Sequence, residues 1–349
     1  MGTFKPQRAL ITGGAGFIGS NFVRYMLAKY PQLHIVNLDA LTYAGHKSNL
    51  DDLPGAERHT FVHGNICDAQ LVMQLLREHD IDIVVHLAAE SHVDNSITGP
   101  AAFVETNLVG TFTLLEAARH FWLTENKFDA TQCRFQHVST DEVFGSLSDE
   151  APAFRETSAY VPNSPYSATK AGSDHLARAY HHTYKLPVTI SNCSNNYGPY
   201  QHDEKFIPTV IRSCMGMKPI PLYGTGKNVR DWLHVEDHCS GLDAVIHDGV
   251  PGETYNIGCA NEWRNIDILK TICAVFDSLF PQRGPHERLL SYVPDRPGHD
   301  WRYAIDNSKM KNELGWYPRH SFQDGIRKTV EWYVQRRPEW LQAEMAGQK

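Results

Sequence analysis

The sequence predicts an α/β protein, a doubly wound parallel sheet carrying a smaller α/β lobe for substrate. Three observations predict it. Apolar, β-branched runs alternate with helical patterns through the first half, the first run ends in a glycine-rich turn, and beyond about residue 200 turn-rich pieces replace the alternation. Strands that are apolar throughout suit a parallel sheet covered on both faces.

The elements follow in order. Arg8–Thr12 is an apolar run entering the glycines, and Phe17–Lys29 is the apolar helix that leaves them. His34–Asp39 and His59–His63 read as the next strands, with a helix at Ala69–His79. Ile83–Leu87 is followed by a helix at Ala101–Trp122, and Phe135–Thr140 by a helix at Pro165–Tyr184 whose proline marks its first turn. Val188–Asn192 closes the series. Helices are then expected near Glu204–Met217, Val235–Asp248, Asn265–Phe280 and Phe322–Arg336, between turn-rich stretches such as PIPLYGTGKNVRDW and GVPGETYNIG.

A chain of 349 residues can bury a large core, and its 42% hydrophobic and 21% charged residues are those of an ordinary globular protein. No run reaches the ~18 apolar residues that span a bilayer. The start MGTFKPQRALITGG has no signal-peptide core, and Pro6 breaks the myristoylation pattern. Seven cysteines without a C-x-x-C pattern suit reduced thiols in the cytoplasm. The net charge of −7 argues against nucleic acid as a partner, though not against a small anion held by a few local cations.

LITGGAGFIG holds Gly13, Gly16 and Gly19 in a strand–turn–helix setting, with Phe17 and Ile18 opening the helix. Such glycines permit a tight turn, close approach of a pyrophosphate and close helix packing, and the helix start offers free N–H groups and a positive dipole end. Asp39 ends the next strand, twenty residues past Gly19, where a carboxylate accepts from the adenosine ribose and repels a 2′-phosphate. NAD is therefore expected rather than NADP. Asn65 and Ile66 after the third strand, and Leu87, Ala88, Ala89 and Ser91 after the fourth, should line the adenine and nicotinamide-ribose sides. On this reading residues 1–200 form a Rossmann-like NAD-binding domain and residues 201–349 mainly the substrate lobe, with some chain crossing back.

Tyr166 and Lys170 in PYSATK fall on one helix face, and an ammonium beside a phenol should lower its pKa enough for proton removal from a sugar hydroxyl. Tyr25/Lys29, Tyr43/Lys47 and Tyr223/Lys227 share the spacing. The last two enclose glycines and read as turns, and the first points away from the glycine loop. Tyr166 alone opens a helix behind a strand that ends in Ser139-Thr140, where ligands of such sheets sit. That strand runs on into Asp141-Glu142. Two adjacent acids there are a solvated surface, a charge pair at a helix start, or an acid and a base acting on neighbouring atoms.

GGAGFIG, LAAESHVD, STDEVFG, PYSATK, SNNYGPYQ, RDWLHV and DRPGHDWRYAID together resemble the nucleotide-sugar 4,6-dehydratases, extended members of the short-chain dehydrogenase/reductases, from about residue 8 to at least 306. The resemblance implies tightly held NAD and a hydro-lyase reaction, with dTDP-glucose the first candidate substrate and UDP- or CDP-sugars as alternatives. It assigns Asp141 as the acid at C6, Glu142 as the base at C5, Thr140 as the hydrogen-bond donor at the C4 oxygen, and Tyr166 with Lys170 as the pair that deprotonates it. It adds Leu41, Thr42, Thr106 and Asn196 to the cofactor set, with Tyr166 and Lys170 shared. For the nucleotide sugar it implies Ser91, Glu142, Asn195, Lys205, Phe206, Pro221, Tyr223, Arg230, Asn265, Arg296 and His299, Arg230 foremost for the diphosphate. It also implies a homodimer joined through the helices at Ala101–Trp122 and Pro165–Tyr184.

Chemistry supports the lyase over a same-fold 4-epimerase, which needs no acid pair, and over a catalytically silent NAD-binding module, which needs none of these groups. Two features depart from the family pattern: Trp263-Arg264 brings bulk to the lobe, and Phe144 replaces a commoner tyrosine. His234-x-x-x-His238 has zinc-like spacing but no partner cysteine, and no metal is expected. Gly224-Thr-Gly-Lys227 lacks the remaining residues of a P-loop.

Overall fold

The computed structural model describes residues 4–295 and 299–342. Strand and helix alternate from the start: β1 (Arg8–Thr12), α1 (Phe17–Lys29), β2 (His34–Asp39), β3 (His59–His63), α2 (Ala69–Glu78) and β4 (Ile83–His86). After α3 (Val93–Thr98) comes one continuous rod, Pro100 to Glu125. Its α-helical turns α4 (Pro100–Phe103) and α5 (Thr111–Ala118) are interrupted by π-helical Val104–Gly110 and Arg119–Glu125. The expected Ala101–Trp122 helix is thus longer and wider-wound than a 3.6-residue period suggests. Then follow β5 (Arg134–Thr140), α6 (Pro165–Tyr184), β6 (Val188–Cys193) and β7 (Asn195–Tyr197).

The remaining elements are α7 (Phe206–Met215), β8 (Ile220–Tyr223), β9 (Val229–His234), α8 (Val235–Asp248), β10 (Thr254–Ile257), β11 (Glu262–Arg264), α9 (Asn265–Leu279), β12 (Leu290–Val293), β13 (Arg302–Tyr303), α10 (Ser308–Leu314), α11 (Phe322–Arg336) and α12 (Glu339–Gln342). A seven-stranded parallel sheet runs β10-β6-β5-β4-β1-β2-β3. Its order reverses between β1 and β4, and there the crevice that ligands use must open. One face packs on α1, α8 and α10 through Phe22, Met26, Leu242 and Met310. The other packs on α2, the rod and α6 through Leu76, Leu115, Trp122 and Ala177.

The lobe combines the β11-β9-β13 sheet, with β7 on β9, and the β8-β12 pair, packed on α7, α9 and α11 around Ile211, Ile272, Phe276 and Ile326. Trp263 stacks on Phe322 of that core at 4.6 Å, and its Nε1 donates to Asn261 Oδ1 at 2.9 Å. This ring turns inward, so its bulk fills the lobe core.

Candidate functional site

The turn after β1 shows why its glycines are glycines. Gly13 has φ +73°, and a Cβ there would lie 2.7 Å from Ala88 Cα; one on Gly19 would lie 2.1 Å from Gly13 O. No side chain fits at either position, so β1, the β4 loop and α1 close together. Gly16 is the N-cap of α1, leaving the helix start open to an anion. Asp39 takes the Ala15 N–H on Oδ2 and the Leu41 N–H on Oδ1, each at 2.8 Å, which anchors its carboxylate beside the turn. A glycine cradle, an open helix start and an anchored carboxylate fit a dinucleotide.

A cavity of ≈ 330 Å³ opens at the carboxyl ends of the parallel strands. It gathers Gly13, Gly16, Phe17, Ile18, Gly19, Asp39, Thr42, Asn65, Ile66, Leu87, Ala88, Ala89, Ser91, Thr106 and Asn196 with Thr140, Asp141, Glu142, Tyr166, Lys170, Asn195 and Lys205. Of the expected cofactor residues only Leu41 is not on its wall, and it takes part through its amide. Buried Asn195 Oδ1, Gln201 Oε1 and Asp141 Oδ2 have no hydrogen-bond partner among the described residues, so polar groups of a ligand can satisfy them.

The Thr140–Tyr166 side of the cavity is built from two element ends. β5 stops at Thr140, whose hydroxyl accepts the Glu142 N–H (3.3 Å) and so starts a 3₁₀ turn over Asp141–Phe144. That turn buries Asp141 and leaves Glu142 half-buried on the cavity wall. Phe144 points away from the cavity, stacked on Phe154 at 5.1 Å. α6 begins with a capping box, Ser164 and Ser167 each bonding the other's backbone, and with Pro165 at its first position. This fixes where Tyr166 sits, near enough to Thr140 for that hydroxyl to favour the ionised phenol.

Electrostatics separates the two acids. Burial, reinforced by Glu142 and by buried Asp231, raises the Asp141 pKa well above the usual carboxylate range, while Arg230 and the Thr140 hydroxyl oppose. The phenol corrects the pairwise expectation. Burial and Glu142 push Tyr166 well above its ordinary value, and Lys170 Nζ instead donates to Val138 O at 2.9 Å. Burial also lowers Lys170 itself. Charge on this pair is therefore set by the wider surroundings.

Phe206, Pro221, Tyr223, Arg230, Asn265 and His299 stand outside the cavity wall, in the lobe, and Arg296 lies outside the described residues. Arg230 donates to the carbonyls of Val229 (2.7 Å), Trp301 (3.3 Å) and Asp300 (2.8 Å), its guanidinium 4.2 Å from the Tyr303 ring centroid. In this state it ties β9 to the 300–302 segment. His299 bonds Asp295 (2.6 Å), its ring at 79° to that of Tyr223 and 6.4 Å from it. Lys205 Nζ reaches Ser91 O at 3.1 Å, which bridges the lobe to the β4 loop.

Sequence reasoning gave no role to Glu90, Ser139, Cys193, Gln201 and His202, which also line the cavity. It missed Asn107 as well, whose amide bonds both backbone groups of Glu90 and the Thr169 hydroxyl, each at 2.9–3.0 Å. Asn107 lies in the π-helical stretch, and no spacing rule singles it out. Tyr25 and Lys29 bond each other (3.0 Å) but close on Asp243, away from the cavity. His238 bonds Asn196 (3.0 Å) rather than joining His234. Among the described residues one group, His234, Glu236 and His320, could gather round a metal ion, but the two imidazoles lie 4.3 Å apart, tilted by 32°, and His320 pairs with Glu236 and Asp237.

Known proteins match this arrangement. The family described as GDP-mannose 4,6 dehydratase matches residues 10–329. A dTDP-glucose 4,6-dehydratase of Shigella flexneri is 53% identical over 336 residues, 94% of this chain and 93% of its own. One of Xanthomonas campestris pv. campestris (strain B100) is 54% identical over 342 residues, 97% and 96% of the two chains. Among solved structures, DesIV of Streptomyces venezuelae, a dTDP-glucose 4,6-dehydratase with NAD and TYD bound, superposes with a TM-score of 0.85 at 46% identity, covering 95% of this chain and 98% of that one.

Proposed function

The chain belongs to the GDP-mannose 4,6 dehydratase family, and from that premise we propose that it is an NAD-dependent dTDP-glucose 4,6-dehydratase, a hydro-lyase yielding dTDP-4-keto-6-deoxy-glucose. Gly13, Gly16, Gly19 and Asp39 would hold NAD, whose chemistry would be to accept the C4 hydride and give it back at C6, and the chain's own groups move the protons. Tyr166 takes the C4 hydroxyl proton while Thr140 hydrogen-bonds that oxygen, with Lys170 the cation behind them. The C4 ketone acidifies C5–H, which Glu142 removes as Asp141 protonates the departing C6 hydroxyl, and Glu142 gives that proton back to C5 when C6 receives the hydride. Consecutive positions at a chain turn direct the two acids to adjacent carbons.

One observation carries this reading: Asp141, buried and with its pKa raised by that burial and by Glu142, sits one residue from half-buried Glu142 beside Tyr166. A 4-epimerase needs one proton acceptor and has no use for that pair. Lys205, Arg230, Asn265 and His299 serve the nucleotide diphosphate, Arg230 after exchanging its carbonyl partners for phosphate oxygens, and Pro221 with Tyr223 edges the base. Incubation with dTDP-glucose, UDP-glucose and CDP-glucose without added reductant tests it. The dTDP-sugar should lose one water with no net NADH; a product of unchanged mass would overturn the reading.

The working enzyme is a homodimer in the cytoplasm. Exposed Val104, Val109 and Phe112 on the rod and Tyr184 at the end of α6 support the dimer. Free cysteines throughout, and no membrane-crossing helix among the described residues, are compatible with that compartment.

A further inference from the structure

Tyr166 and Lys170 do not complete the polar line on α6. Four residues on, Asp174 is fully buried, and its carboxylate accepts four hydrogen bonds. They come from His137 Nε2 (3.0 Å), Ser139 Oγ (2.9 Å), Tyr160 Oη (2.9 Å) and Asn192 Nδ2 (3.3 Å). Steps of four keep residues on one helix face, about 6 Å apart along the axis. His137 and Ser139, alternate residues of β5, point at that face. Between them Lys170 Nζ takes the Val138 carbonyl, and Tyr166 reaches Thr140. The helix is thus keyed to the strand at three successive levels, and Asp174 is the deepest.

A carboxylate this far from water persists only when well bonded and opposed by a cation. Its four donors supply the bonding, and His137 and Lys170 help hold its pKa below the ordinary value. His137 is itself pushed toward neutrality by burial. Lys170, one turn earlier on the same helix face, is the ammonium that opposes it, and burial lowers Lys170 as well. The titratable groups that interact with Lys170 are His86 from β4, His137 from β5, Cys193 from β6 and Asp174 from its own helix. Of these Asp174 favours the ammonium most.

We propose that Asp174 is a positioning residue for the oxidation step, keeping Lys170 charged and Tyr166 in register with Thr140. The proposal rests on the dehydratase reading of Tyr166 and Lys170. Its test is the pH profile of kcat/KM for dTDP-glucose in Asp174→Asn, Asp174→Glu, Lys170→Met and the Lys170→Met/Asp174→Asn double variant, with NAD content measured alongside. Without the carboxylate Lys170 loses its proton sooner, so in Asp174→Asn the alkaline limb should move down by about one pH unit. Asp174→Glu should restore the limb. A uniform loss with the limb unmoved would mean Asp174 only supports the fold, and overturns the proposal.

If Asp174→Asn leaves an unanswered Lys170 and does not fold, the double variant decides, since it removes both charges. It should match Lys170→Met within about twofold, and a further loss of about tenfold or more would show Asp174 acting independently. Wild type that dehydrates dTDP-glucose with no limb shift in Asp174→Asn overturns this inference alone. Wild type that releases no water overturns the function reading and this inference with it.

Discussion

A carboxyl group with 2% of its surface exposed, next to one carboxylate and near another, keeps its proton to a higher pH than one in water, and Asp141 is so placed. Its native pKa lies above the unfolded value of about 3.9, so above that pH the native state holds a proton that the unfolded chain releases. Its contribution to stability therefore falls as pH rises from that range through the native pKa. Asp141→Asn should melt higher than wild type at mildly alkaline pH, with the gap closing in acid; equal melting temperatures throughout would show an unperturbed carboxyl. The same variant, and Glu142→Gln, should slow water loss by about 10²–10⁴ while NAD stays bound, measured by product mass against nucleotide content. These acids were legible because they are consecutive at a strand end. Asp174 and Asn107 were not, since their partners come from residues 14 to 62 positions away. The Tyr166 phenol was misread for a related reason: helical spacing places Lys170 near it but does not say that Nζ bonds Val138 O.

At the scale of elements, most boundaries followed from local chemistry. α1, α6, α8 and α11 begin and end where glycine, proline, capping residues and apolar spacing put them. Ser164→Ala removes half of the α6 capping box and should cost about 1 kcal/mol, read as a lower urea midpoint at unchanged slope. Gly19→Ala brings a Cβ to within 2.1 Å of Gly13 O, so α1 must move off the turn. That variant should purify with little bound nucleotide, checked by absorbance ratio after denaturation. The rod from Pro100 was only half legible. A π turn adds about one residue per turn, a phase slip too small for apolar periodicity to reveal. The slip decides which side chains face inward: Asn107 is buried toward Glu90 and Thr169, while Val104, Val109 and Phe112 stay outside.

Over the whole molecule, those exposed side chains predict assembly. Phe112→Glu places a charge in an apolar face and should shift the light-scattering mass from dimer to monomer; a wild-type monomer would remove the idea. Alternation of strands and helices was enough to indicate a parallel sheet, but not that Thr254–Ile257 is its seventh strand, because a strand of four residues among turns carries little periodic signal. That strand also has a consequence for synthesis. Until it emerges from the ribosome, β6 has an open edge and the α1 face lacks its α8 cover. The nascent chain must wait for about three-quarters of its length before its first sheet is complete, and until then the six-residue β6, rather than the four-residue β10, is the exposed edge.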